Sequence, residues 1–252
     1  MKILTTLIVS LLFTTIINAE ELQPTQFLLP YQTFELPEQK IEELGEPTIL
    51  WATNYYIPYY QDKTGDFSLR DINGNELGPK LSLRSWCMSA LEGSVRIALE
   101  DGTTKVFNYH ASTEPFPVDC STELPFDLSK TKFRESKSLF GEGVDGNILA
   151  PYRTIATDTS KIPVGTVLYI PEARGLKIKL GDTIVIHDGY FFAGDRGGAI
   201  KDNHIDVFTG VSKGTSFFPW IGHNAEKLFN AYLIKDPSII DTLKKLHRSR
   251  SL

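Results

Sequence analysis

The stretch Ala193–Gly210 reads AGDRGGAIKDNHIDVFTG. Asp195 precedes the pair Gly197-Gly198, and Asp206 follows inside the run His204-Ile205-Asp206-Val207-Phe208. Ile, Val and Phe favour strands, so HIDVF is expected to be one. Side chains alternate along a strand, which sets Asp206 opposite Ile205 and Val207. With those two in a core, Asp206 faces a cleft or a barrel mouth. The adjacent glycines allow positive φ and let backbone approach a ligand closely. Asp beside Gly-Gly is also common in plain turns, so the residues alone admit both a site and a turn.

Working outward, short apolar runs alternate with turns from Tyr152 onward: TIAT, TVLYI, TIVIHD, YFFAGD, HIDVF and LFNAYLI. Such spacing predicts a small closed β-barrel. A third acid, Asp158, follows TIAT and precedes Pro163 and Gly165; taken alone, it caps a turn. Upstream, Thr48–Tyr60 (TILWATNYYIPYY) is rich in β-formers and is expected to be one strand. Asn73-Gly74 marks a turn, and Glu100-Asp101-Gly102 joins Ser94–Leu99 to Thr104–Tyr109 as a hairpin. Trp86–Glu92 is expected to form a short helix. Ala111–Asp145, rich in Pro, Ser, Asp and Gly, reads as long loops, with a small subdomain as the alternative. Pro237–Leu252 reads as a terminal amphipathic helix with a basic end. Flat aromatic rings often stack on sugars, and one or two of Tyr55, Tyr56, Tyr59 and Tyr60 are expected at a groove. Trp220 fits a groove or a core.

The chain has 252 residues, 41% hydrophobic and 23% charged. That suits one domain with an elaboration, or two small ones. A net charge of −5 and a pI near 5.6 make nucleic acid a poor partner. Lys2, the apolar run Ile3–Ile17 and the ending Ile17-Asn18-Ala19 read as a secretory signal peptide cleaved after Ala19. The run is too short for a good membrane anchor, so a periplasmic or secreted protein is expected. In an exported chain the two cysteines, Cys87 and Cys120, suggest one disulfide. His187, His204 and His223 show no ligand spacing, and no metal or other cofactor is expected. Ser94 and Ser160 lack a His–Asp partner pattern, which argues against a serine hydrolase.

IATD, IPVGTVLYI, AGDRGGAI and NHIDVF together resemble the three-aspartate (3D) domain found in the membrane-bound lytic transglycosylase A family. The three aspartates are then Asp158, Asp195 and Asp206. Asn54-Tyr55-Tyr56-Ile57-Pro58 resembles that family's Gly-Tyr-Tyr-x-Pro. Leu91-Glu92-Gly93-Ser94-Val95, with the hairpin after it, resembles its Gln-Gly-Ser-Gly stretch. The resemblance recurs from about residue 50 to 235.

It implies a mainly β protein: a double-psi β-barrel with a smaller inserted β-rich domain. The expected plan is signal peptide 1–19, extended arm 20–47, barrel 48–62 and 150–236, inserted domain 63–149, and terminal helix 237–252. It further implies a monomer acting on peptidoglycan glycan strands. The MurNAc–GlcNAc β-1,4 bond would be broken without water, leaving a 1,6-anhydro end. Asp206 matches the acid/base, with Asp195 and Asp158 in support. Tyr55, Tyr56, Glu92, Gly93, Ser94, Gly197 and Gly198 match substrate-binding positions. Asn54 and Val95 each replace a glycine of the family pattern, and three further departures stand out. Arg196 replaces a small or apolar residue and is placed to lower the pKa of Asp195, Asp202 replaces a glycine, and Glu92 replaces a glutamine. An expansin-like glycan-binding barrel and an inverting glycosidase are the alternatives.

Overall fold

A computed structural model describes residues 34–61, 65–114, 118–180, 183–211, 218–222 and 224–248. The signal-peptide segment, most of the arm and His223 lie outside these. Fourteen strands and two α-helices are present among the described residues. In chain order, β1 is Thr48–Tyr55, β2 Tyr59–Tyr60, β3 Phe67–Arg70 and β4 Glu76–Leu81. Helix α1, Leu83–Glu92, leads to β5 (Ser94–Ala98), β6 (Thr104–Ser112) and β7 (Thr131–Ser136). Then follow β8 (Thr154–Thr157), β9 (Val167–Tyr169), β10 (Lys177–Leu180), β11 (Thr183–Ile186) and β12 (Tyr190–Asp195). The last elements are β13 (His204–Phe208), β14 (Phe229–Leu233) and α2 (Pro237–Leu246).

The protein is mainly β, built on a closed six-stranded double-psi barrel in the order β1-β13-β8-β12-β9-β14. Inward side chains such as Leu50, Ala52, Ile155, Leu168, Phe191, Ala193, Ile205 and Val207 fill its core. β12 is buried along nearly its whole length because both of its faces are covered. Tyr190 and Phe192 pack with Val167, Tyr169, Ile239 and Leu243, so α2 seals the outside of the barrel there. A strand covered on both faces has no reason to alternate, hence the run YFFA. Trp220 is core, against Phe191, Phe218 and Phe229.

A second sheet, β2-β5-β6-β7, and the pair β3-β4 lie outside the barrel order. They share a core of Leu69, Leu81, Val95, Ile97, Phe107 and Phe133 with one face of α1. The Ser82 side chain caps α1 by accepting from the Ser85 N–H at 3.2 Å. Gly93 ends it in the left-handed region at φ +74°. The expected disulfide joins Cys87 of this helix to Cys120.

Three sequence expectations need correction. Thr48–Tyr60 is not one strand: β1 stops at Tyr55, and beyond Ile57-Pro58 the chain passes to β2, which pairs with β5. TIVI is not a barrel strand; among the described residues β11 pairs only with β10, and Ile184 and Ile186 are exposed. Ala111–Asp145 is not all loop, since β7 pairs with β6 and buries Phe133.

The segment Gly141-Glu142-Gly143 joins the second sheet to the barrel. The Glu142 N–H donates to Asn108 Oδ1 at 2.8 Å, and Asn108 Nδ2 donates back to the Glu142 carbonyl at 2.6 Å. At Gly143 a Cβ would lie 2.3 Å from the Gly194 carbonyl oxygen, so only glycine permits this approach beside Asp195.

The disulfide spans 33 positions, and closing such a loop restrains the unfolded chain by about 3–4 kcal/mol. Cys87→Ser with Cys120→Ser is therefore expected to lower unfolding free energy by about that amount in urea titration. An unchanged midpoint would show that the cross-link stabilises nothing.

Candidate active site

The site is built on the parallel pairing of β1 with β13. Its register sets Trp51 against His204, Thr53 against Asp206, and Tyr55 against Phe208. Alternation brings these three rungs to one face of the pair. The Trp51 and His204 rings stack at 3.6 Å with 5° between planes. The Thr53 hydroxyl donates to Asp206 Oδ1 at 2.8 Å. The Tyr55 and Phe208 rings lie 5.1 Å apart.

The row through Thr53 and Asp206 continues across the barrel. Asp206 pairs with Ala156 of β8, and Ala156 pairs with Asp195 of β12. Asp195 reaches that register position because the ladder shifts between Ala193 and Asp195. The extra residue is Gly194, and such a bulge re-aims the side chain that follows it. Two acids thus flank a small alanine, their backbones about 10 Å apart at two strand spacings.

Burial sets their protonation. Ile205 and Val207 on either side of Asp206 are fully buried, as the alternation predicts. Asp206 is pushed up to about 7, mainly by desolvation; the Asp195 charge adds to this, while the Thr53 hydrogen bond opposes it. Among the described residues its Oδ2 has no hydrogen-bond partner. Asp195 rises to about 6, again by burial. Both of its oxygens are engaged: Tyr55 OH donates to Oδ2 and the Arg196 N–H to Oδ1, each at 2.8 Å. The expected lowering by Arg196 acts, but burial outweighs it, so the net shift is upward.

Asp158 is held differently. Its Oδ1 accepts from Ser160 N–H and Oγ–H, and its Oδ2 from the Asp202 N–H at 3.0 Å. These donors hold its pKa below the usual range. It therefore clamps the loop entering β13. Asp202 sits there at φ +54°, a conformation Asp adopts more readily than most residues.

Glu92 closes α1, and its Oε2 accepts the Tyr56 N–H at 3.2 Å. Burial raises it to about 8, and the Asp206 charge pushes the same way. The negative end of the helix dipole disfavours its charged form as well. Ser94 is buried, and among the described residues its hydroxyl has no hydrogen-bond partner. Gly197 is needed for the turn, since a Cβ would lie 2.6 Å from Ile200 Cγ1; Gly198 is open. The structure thus brings Tyr55, Asp195 and Asp206 together, sets Glu92 within electrostatic reach, and leaves Asp158 on the supporting loop. His187 and Asp188 serve the fold: Asp188 pairs with the buried Arg153, and His187 Nε2 lies 2.7 Å from the Tyr152 carbonyl.

Thr53 and His204 were not legible as site residues. A threonine in a β-rich run carries no signal, and only the β1–β13 register reveals its partner.

Asp206 is protonated in the folded state up to about 7, but in the unfolded chain only to its ordinary value, 3.8. Between those values the folded state binds the extra proton, so stability falls as pH rises. Urea midpoints are expected to decline across this window, and Asp206→Asn to flatten the decline partly, because Glu92 contributes with the same sign. An identical pH dependence in the variant would contradict the burial of Asp206.

No curated protein sequence matches this chain. Residues 153–216 match the family model of the 3D domain. Among solved structures, the membrane-bound lytic murein transglycosylase of Agrobacterium tumefaciens is similar in fold. Its TM-score is 0.51 at 15% identity, covering 78% of this chain and 76% of that one. MltA of E. coli with bound chitohexaose aligns with a TM-score of 0.46 at 16% identity, over 74% and 72%. MltA of Neisseria gonorrhoeae aligns at 0.44 and 13%, over 74% and 72%. The segment holding Asp158, Asp195 and Asp206 is therefore a match to the 3D domain, and over 78% of its length the chain is similar in fold to the Agrobacterium transglycosylase.

Proposed function

We propose that the protein is a peptidoglycan lytic transglycosylase with Asp206 as its single acid/base. The observation that carries this reading is a carboxyl group held protonated to about 7, with one oxygen fixed by Thr53 and the other without a partner among the described residues. A proton donor to a glycosidic oxygen has to be protonated near its working pH. The fold likeness and the 3D match support the same reading.

The reaction needs one carboxyl group. Asp206 gives its proton to the oxygen bridging MurNAc and GlcNAc, and the bond to C1 breaks. The carboxylate then takes the proton of the sugar's own C6 hydroxyl, whose oxygen bonds to C1. The acid is restored, no water is consumed, and a 1,6-anhydro ring results. An ordinary glycosidase requires a second carboxyl group to activate water or to form a covalent bond. Asp195 is poorly suited to that task, since both its oxygens already accept hydrogen bonds. Its role is to orient Tyr55 and to help keep Asp206 protonated.

Glycan is proposed to lie between the barrel, built from β1, β8, β9 and β12 to β14, and the smaller unit of β2 to β7 that carries α1. Tyr56, Gly93 and Ser94 are its proposed contacts on the near side. Glu92 is neutral at pH 7 in this setting, so it presents a hydroxyl donor and a carbonyl acceptor much as glutamine does. The departure at this position thereby preserves the chemistry that the resemblance implies. Such a substrate lies outside the cytoplasm, in keeping with the signal-peptide reading of residues 1–19 and with a disulfide. Among the described residues no helix is long and apolar enough to cross a membrane.

Purified protein incubated with peptidoglycan is expected to release anhydro-ended muropeptides, identified by mass spectrometry. Asp206→Asn is expected to reduce their rate by roughly 10²–10⁴-fold, the usual worth of general acid–base catalysis. Asp195→Asn is expected to cost less, and Asp158→Ala least. Reducing-end products would overturn the proposal in favour of a hydrolase; glycan binding without products would overturn it in favour of an expansin-like binding module.

A further inference from the structure

The chain returns from the smaller unit to the barrel through Gly141-Glu142-Gly143, and this crossing is tight on both sides. Towards the smaller unit, a Cβ on Gly141 would lie 2.3 Å from Asn108 Oδ1 and 3.1 Å from Ser94 Cβ. Towards the barrel, a Cβ on Gly143 would lie 2.3 Å from the Gly194 carbonyl oxygen and 3.0 Å from Asp195 Cβ. Ser94 and Asn108 are partners across β5 and β6. One backbone thickness therefore separates that rung from Asp195, and glycine at both flanking positions is what permits it.

Asn108 grips the residue between the two glycines. Its Oδ1 accepts the Glu142 N–H at 2.8 Å, and its Nδ2 donates to the Glu142 carbonyl at 2.6 Å. These partners fix the orientation of the amide, since an N–H only donates and a carbonyl only accepts. Facing residues of an antiparallel ladder exchange the same pair of bonds, so the Asn108 side chain stands in for a strand residue. The Glu142 carboxylate is held separately, by Arg134 and Ser136 of β7. On the barrel side the Gly143 N–H donates to the Asn147 carbonyl at 2.7 Å. Asn108 is 5% exposed, which leaves little of it to touch a glycan.

We infer that Asn108 is a positioning residue for Asp195: by clamping the Glu142 peptide it holds Gly143 against the Asp195 side chain, and so fixes that carboxyl group and keeps water from one side of it. That Asp195 assists Asp206 rests on the function proposed above; the clamp does not. The titratable and charged groups facing Asp195 are Tyr55 from β1, Asp206 from β13 and Arg196 at the end of β12. All three are left in place in the variants below.

Asn108→Ala and Asn108→Leu both remove the two bonds, and leucine keeps the volume. Once Gly143 is free to move off, water returns to Asp195 and favours its carboxylate. The Asp195 midpoint, about 6 in unmodified protein, is expected to fall by about one unit in each variant. In a Gly143→Ala background the contact is already forced apart, and Asn108→Leu is expected to add nothing. Cys87→Ser with Cys120→Ser serves as the control for lost stability. It loosens the same unit without touching the clamp, and the midpoint is expected to stay where it is.

The test is NMR on the unliganded protein, following the ¹³C-labelled Asp195 carboxyl through a pH titration. An unchanged midpoint in Asn108→Leu overturns the inference, as does an equal fall in the cysteine pair. This readout needs no substrate, so a protein that cleaves no glycan would fail the proposed function and still decide this one. Where glycan is cleaved, Asn108→Leu is expected to lower kcat with KM little changed, and by less than Asp195→Asn does. A raised KM at unchanged kcat would overturn the inference by placing Asn108 in glycan binding.

Discussion

The register of β1 against β13 is the constraint on which the rest depends. It places Thr53 beside Asp206, and it places Trp51 and Tyr55 on the rungs either side. A slip of one residue would turn Asp206 toward the barrel core and bring Ile205 out. Such a slip is resisted by packing, since Ile205, Val207, Leu50 and Ala52 are all fully buried. The barrel core therefore specifies the proton chemistry indirectly: burying one face of β13 commits the other face to Asp206. The carboxyl group sits close to that core and loses water, and this desolvation is the main cause of its raised pKa.

Three aspartates of the same 3D match end in three different states. Asp158 meets three donors and stays ionised. Asp195 meets two donors and a nearby cation but is half-buried, and the loss of water raises it to about 6. Asp206 meets one donor and rises further. The ordering follows from hydrogen bonds to the charged form set against desolvation, and environments that push carboxyl groups apart in pKa mark their roles. Arg196 shows how such a balance is decided. It does lower Asp195, yet burial is the larger effect.

Much of this was legible in the sequence where a strand had one buried face. HIDVF announces Asp206 because Ile205 and Val207 flank it, and the barrel follows from regularly spaced apolar runs. Legibility failed where tertiary context overrides pattern. TIVI has the composition of a core strand, but in the hairpin with β10 its isoleucines 184 and 186 are exposed. β7 was hidden in a polar region because its pairing partner β6 lies earlier in the chain and supplies the apolar contacts. Thr53 and His204 were hidden for a related reason: they lie 151 positions apart and meet only through parallel pairing. The disulfide was legible because a chain read as exported, with two cysteines, leaves one pairing.

The central claim is that Asp206 serves as acid and then base to the sugar's own hydroxyl, so that no water enters the product. Digestion of peptidoglycan in H₂¹⁸O, followed by mass spectrometry of the released glycan ends, tests this directly. The account predicts product ends that carry no ¹⁸O and are lighter than hydrolytic ends by one water. Ends that carry ¹⁸O at C1 would contradict it, because water and not the C6 hydroxyl would then have attacked.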